Sequence, residues 1–182
     1  DALPLAKQLN EKETSARLHR KMANVLWSNL GDRERAKEHH EQALKILETE
    51  PESVELASLY EDMAGMVSMG TTGNLTEALS LGEKAVELAK KLNAHEVLAH
   101  AYIPLGEISS WLGNNKKALE CFERALTIAL DNGYMETAVW AYDDLAVFRP
   151  TEENERRQEY LQKAFELAKK VGTVEAIALI GQ

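Results

Sequence analysis

Leu88-Ala89-Lys90-Lys91-Leu92-Asn93 settles the architecture, because the chain writes this phrase more than once. Leu5-Ala6-Lys7-Gln8-Leu9-Asn10 precedes it at an offset of 83, and the same ungapped offset carries Glu13 onto Glu96, Ala16 onto Ala99 and Ala23 onto Gly106. Leu167-Ala168-Lys169-Lys170-Val171-Gly172 is a third copy with Glu175 following, and Ile128-Ala129-Leu130 with Glu136 and Ala146 is a looser fourth. A second block recurs between them. Ala36 precedes Ala43-Leu44, Ala78 precedes Ala85-Val86, and Ala118 precedes Ala125-Leu126, each by seven residues; Arg157 stands in that place before Lys163-Ala164-Phe165. The second alanine advances from 43 to 85, 125 and 164, in steps of 42, 40 and 39. A period of this length marks a stacked array in which each unit leans on its neighbours.

Each unit reads as two helices. Leu81, Ala85, Leu88 and Leu92 follow the helical spacing, and no useful length of chain alternates with period two. Leu30-Gly31-Asp32, Thr72-Gly73-Asn74 and Leu112-Gly113-Asn114 read as the turn inside a unit: glycine suits a left-handed helix end, and Asp or Asn caps the next helix. The second helices end near Pro51, Asn93, Gly133 and Gly172. Small residues at 23, 64, 106 and 146 on the first helices, and at 43, 85, 125 and 164 on the second, let paired axes approach to ~8 Å. The expected fold is all-α: a right-handed solenoid of antiparallel helix pairs. The units expected are 11–50, 52–93, 94–133 and 134–172. Residues 1–10 read as the end of a preceding helix and 173–182 as the start of a further one, so the chain reads as one domain cut from a longer array.

Composition agrees. Ala, Leu and Glu number 24, 25 and 24 among 182 residues, a bias toward helix and against sheet. The net charge of −9, without a basic stripe, argues against direct nucleic-acid binding. No apolar run approaches the ~18 residues of a membrane span. The single Cys121 cannot build a disulfide framework.

Tyr102, Leu105, Gly106, Gly113, Asn114, Ala118, Phe122 and Ala125 resemble the signature of the tetratricopeptide repeat, and the resemblance extends over nearly the whole chain. The units exceed that family's minimal 34-residue repeat. They are similar to the long variants in kinesin light chain, in cell-polarity adaptors and in bacterial regulators that join repeats to an ATPase, cyclase or DNA-binding domain. The resemblance implies that first helices line a concave groove. It places there Arg17, Arg20, Asn24 and Trp27; Ser58, Glu61, Gly65 and Ser68; His100, Ile103, Glu107 and Ser110, with Trp111 beside them; and Trp140, Asp143 and Val147. Arg20 and Asn24 resemble half of the family's carboxylate clamp, but Glu61, Gly65, His100 and Pro104 stand where the other half belongs. The groove therefore reads as basic at its N-terminal end and acidic further on, with Trp27 and Trp140 as anchors for a peptide of complementary polarity.

No catalytic constellation emerges. His95 and His100 lie at i and i+5, about 140° apart on a helix, whereas zinc needs i and i+4. His39 and His40 are adjacent and point about 100° apart; packing is the simpler role for His40, which stands where the family puts an aromatic ring. Met69-Gly70-Thr71-Thr72-Gly73-Asn74 lacks the lysine of a phosphate loop. Cys121 reads as a buried structural thiol. Pro104, inside a first helix, should bend it. No metal or cofactor is expected. The function implied is a non-catalytic protein-interaction scaffold that binds protein or peptide, within a larger cytoplasmic signalling or transcription regulator. An effector-sensing domain for a small molecule or signalling peptide is one alternative. A module that self-associates through its apolar array ends, Ile177, Leu179 and Ile180 among them, is the other.

Overall fold

The computed structural model describes residues 12–68 and 74–172. Within these residues eight α-helices follow one another: α1 (Lys12–Ser28), α2 (Arg33–Leu47), α3 (Val54–Ser68), α4 (Leu75–Lys91), α5 (His95–Trp111), α6 (Asn115–Asn132), α7 (Met135–Val147) and α8 (Asn154–Val171), with a 3-10 turn at Thr151–Glu153 before α8. Among the described residues there is no strand. The expectations for 1–10, for the 69–73 loop and for 173–182 lie outside the described residues.

The helix boundaries follow from cap chemistry. Asp32, Asn74 and Asn114 each accept backbone N–H groups of the next first turn, at Arg35, at Thr76 and Glu77, and at Lys117. Each satisfies a donor that the helix leaves unpaired, worth about 1 kcal/mol. Gly113, Gly133 and Gly172 hold φ of 82°, 79° and 72°, the left-handed region that a side chain resists. Asn93, the residue closing the opening phrase, takes the same turn at φ 54°.

The helices pack in consecutive pairs, α1 with α2, α3 with α4, α5 with α6 and α7 with α8. Each second helix also leans on the next first helix. First helices pack backbone to backbone on first helices, from α1 to α3, α5 and α7, whereas the second helices α4 and α6 meet through long side chains, Lys117 Nζ donating to Glu83 Oε1 at 2.7 Å. The first-helix layer is thus gathered and the second-helix layer spread, which makes the first-helix side concave. This is an α-solenoid. Inside it α5 meets α3, α4, α6 and α7, and the whole run Ala101–Gly106 is accordingly buried.

The small residues do what the spacing demands. Ala23, Ala36, Ala43, Ala64, Ala78, Ala85, Ala118, Ala125 and Ala164 are fully buried. Around them lie Leu47, Leu59, Ile108, Phe122 and Leu145, essentially without exposure. Each of these large side chains contributes roughly 2 kcal/mol of transfer free energy. The closest approach is at Gly106, where an added Cβ would lie 2.4 Å from a Phe122 ring carbon. Helix α5 runs without interruption through Pro104, whose ring is buried in the core; the bond it forgoes is the one to the His100 carbonyl.

Candidate functional site

At the junction of α1 and α3 the concave lining is closed by an ion-pair chain. Arg20 Nε donates to Glu55 Oε1 at 2.5 Å and its Nη1 to Asp62 Oδ2 at 2.7 Å. Arg17 Nε donates to Glu55 Oε2 at 3.1 Å, and Asn24 Nδ2 to Asp62 Oδ2 at 2.9 Å. The Asn24 carbonyl oxygen lies 3.3 Å from His40 Nε2, so the chain continues into α2 with the Nε2–H tautomer donating. This corrects the expectation of a basic N-terminal end. Arg20 is 11% exposed with two carboxylates on it, and Asn24 is committed on both sides of its amide. Only Arg17, half-exposed, keeps a face toward solvent.

The α5–α7 junction is built from the same places in the repeat but holds other chemistry. His100 and Trp140 meet edge to face with centroids 5.8 Å apart, and His100 Nε2 lies 3.0 Å from Thr137 Oγ1. The indole Nε1 of Trp140 is buried without a hydrogen-bond partner. Asp143 is half-buried and Asp144 is 9% exposed. Loss of hydration raises both carboxyls above the ordinary range, Asp144 well above it, with the charges of Glu107 and Asp143 pushing Asp144 further. On α3, burial and the neighbouring Asp62 push Glu61 up to about 8, against the opposing pull of Arg20 and Lys21. Burial lowers His40 to about 4 and also lowers His100. The lining is polar but poorly hydrated, and toward α7 it is rich in acid.

The remaining expected groove residues divide. Ser58, Glu61 and Glu107 are half-buried on the lining helices. Ile103 is 7% exposed and belongs to the core cluster that also holds Ala141 and Leu145 of α7, so its side chain is core rather than a ligand contact. Trp111 is 54% exposed at the end of α5. Trp27 is half-buried against Ala23, Leu26, Ala36 and Met66, with the Arg33 guanidinium 4.9 Å above its ring. Trp27 is thereby drawn toward α2. Cys121 is buried and its thiol is pushed up to about 11 by loss of hydration, which keeps it an unreactive thiol. His95 is exposed and His100 half-buried, and among the described residues no His, Cys, Asp and Glu side chains gather into a metal-binding group.

Glu55, Asp62, Thr137 and Asp144 were not singled out in the sequence. A signal existed for two of them. Asp62 and Asp144 each stand two residues before the small residue of their first helix, Ala64 and Ala146, and so occupy one structural position.

Stacked antiparallel pairs around a polar first-helix lining define a helical repeat protein of the interaction-scaffold class. The chain belongs to the tetratricopeptide repeat family, whose profile matches residues 14–91 and 55–131. No curated protein sequence is significantly similar to it. Among solved structures it is similar to aspartyl phosphate phosphatase F from Bacillus subtilis, with a TM-score of 0.75, 15% identity, 93% of this chain covered and 44% of that one. It is also similar to a signal transduction ATPase with numerous domains that carries a tetratricopeptide repeat sensor, from Pyrococcus horikoshii, with a TM-score of 0.67, 21% identity, 92% of this chain covered and 26% of that one. The chain spans less than half the length of either, and the likeness is one of fold. Among the described residues no helix is long and apolar enough to cross a membrane.

Proposed function

We propose that this chain is a non-catalytic scaffold that receives a peptide segment of a partner protein in its first-helix groove. Units 11–50, 52–93, 94–133 and 134–172 act as one domain of a larger cytoplasmic signalling or transcription regulator. The observation that carries the reading is the α5–α7 junction: His100, Trp140 and Asp143 are each half-buried on first helices, with His100 and Trp140 in edge-to-face contact. Rigid aromatic groups beside poorly hydrated polar ones are what binding hot spots are made of. Regulators among the structural neighbours, a phosphatase and a sensor-bearing ATPase, support the setting.

Panning a random peptide display library against the 182-residue chain tests the reading. Enriched peptides should bind in solution, and Trp140→Ala should weaken them at least tenfold while the helical circular dichroism is retained. Failure to enrich any peptide, or equal binding by wild type and variant, removes the groove as the site. A second reading is favoured by Leu161 and Phe165, 39% and 40% exposed on α8: association of copies through that helix. Light scattering across a dilution series tests it, and a monomer mass at every concentration eliminates it.

A further inference from the structure

Asp62 and Asp144 are equivalent positions with opposite surroundings. Asp62 reaches back to the preceding first helix and finds Arg20 and Asn24, three residues before and one after Ala23. The same two places relative to Gly106 are Ile103 and Glu107. Asp144 therefore faces an alkyl chain and another carboxylate where Asp62 has a guanidinium and an amide. It is nine-tenths buried, yet among the described residues no donor or cation reaches its carboxylate, and its electrostatic neighbours are Glu107 and Asp143. An uncompensated buried carboxylate is destabilising by several kcal/mol in general, and folds keep such groups where a ligand completes them. Trp140 supplies a second, separate sign. It precedes Asp144 by four residues and Asp143 by three, so all three share one helix face. Its ring offers a cation an aromatic face, and its buried, unpartnered indole N–H would take an acceptor such as a peptide carbonyl beside that cation.

We propose that the α5–α7 junction is a cation subsite that takes an arginine or lysine side chain of the bound peptide, with Asp144 as the seat, Asp143 at the rim and Trp140 as the wall. In effect the ligand provides at this junction the positive charge that Arg20 provides at the other. The inference rests on the peptide reading above and names the residue that reading leaves open.

The test uses the whole chain and the peptide library already described. Selection on wild type should fix a basic residue at one position, and replacing it by citrulline or norleucine should weaken binding at least tenfold. Asp144→Asn should lose the same factor toward the basic peptide, bind the norleucine peptide as wild type does, and melt at a higher temperature because a repulsion has been removed. Direct contact is read from the Trp140 indole 15N–1H resonance, assigned with Trp140→Phe; it should shift on adding the basic peptide. Peptides enriched without a basic position, or an Asp144→Asn protein that keeps the preference, overturn the subsite while leaving the groove intact. No enriched peptide at all overturns both. Spermidine binding as tightly as the peptides would assign the subsite to a free polyamine and overturn the peptide assignment.

Discussion

Gly106 and Gly82 show how one methyl group acquires opposite signs. At Gly106 a Cβ would sit 2.4 Å from the Phe122 ring, which is fully buried and has nowhere to go. Gly106→Ala should destabilise the chain by about 2 kcal/mol in urea titration, the overpacking penalty outweighing the better helix propensity. At Gly82 the nearest atoms to an added Cβ are those of Leu105, at 3.4 Å and beyond, an ordinary contact. Gly82→Ala should therefore stabilise by about 0.5–1 kcal/mol in the same titration, because alanine loses less backbone entropy in a helix. A stabilised Gly106→Ala would mean that α5 and α6 lie further apart than they do here. This part of the fold was legible in advance, since recurring small residues opposite large ones demand close axes. The match of Gly106 to Phe122 was not, because periodicity locates both residues without saying which atoms meet.

Between helices, the α1–α3 chain decides how one repeat sits on the next. Removing Arg20 leaves Asp62 without a cation, and Glu55, 7% exposed, with the half-exposed Arg17 alone. Arg20→Ala should lower stability by about 3 kcal/mol, the effect of orphaning a buried partner. Arg17→Ala, at a half-exposed side chain with the same Glu55, should stay within about 0.5 kcal/mol. Equal effects of the two would show that Arg20 acts as a surface charge. The partners of Arg20 lie 35 and 42 residues along the chain, and only the stacked geometry brings them together. That is why Arg20 and Asn24 read as ligand-facing from sequence: their companions on α3 were invisible. The caps at Asp32, Asn74 and Asn114, by contrast, are local chemistry, and local chemistry is readable.

Across the whole solenoid, the buried His40 and the half-buried Glu61 give stability pH dependences of opposite slope. His40 titrates near 4 in the fold against 6.5 in the unfolded chain, because burial disfavours its charged form and Arg20 and His39 repel it, with Asp62 opposing. The unfolded chain then binds the extra proton first, so His40 removes stability as pH falls from 6.5 to about 4, by about 3 kcal/mol in all. Glu61 runs the other way. It titrates near 8 in the fold against 4.5 unfolded, so the native state holds the proton longer and loses stability as pH rises through that window. Between 4.5 and 6.5 the two slopes oppose each other, and above 6.5 Glu61 acts against no histidine. Stability measured by urea titration should be nearly level from pH 4.5 to 6.5 and decline toward 8. Asp143 and Asp144, also raised, add to the falling side, and His100, also lowered, adds to the rising side. Glu61→Gln removes the Glu61 share of the fall, so its curve should decline less between pH 6.5 and 8 than that of the wild type. A parallel displacement of the whole curve in that variant would mean that Glu61 is ionised in the fold at neutral pH. The retained proton also bears on binding, because a group held neutral at pH 7 by poor hydration and a neighbouring carboxylate ionises when a cation arrives. A basic peptide seated near this lining should therefore release protons on binding. Calorimetry in two buffers of different ionisation enthalpy would read that release directly, and heats identical in both buffers would contradict it.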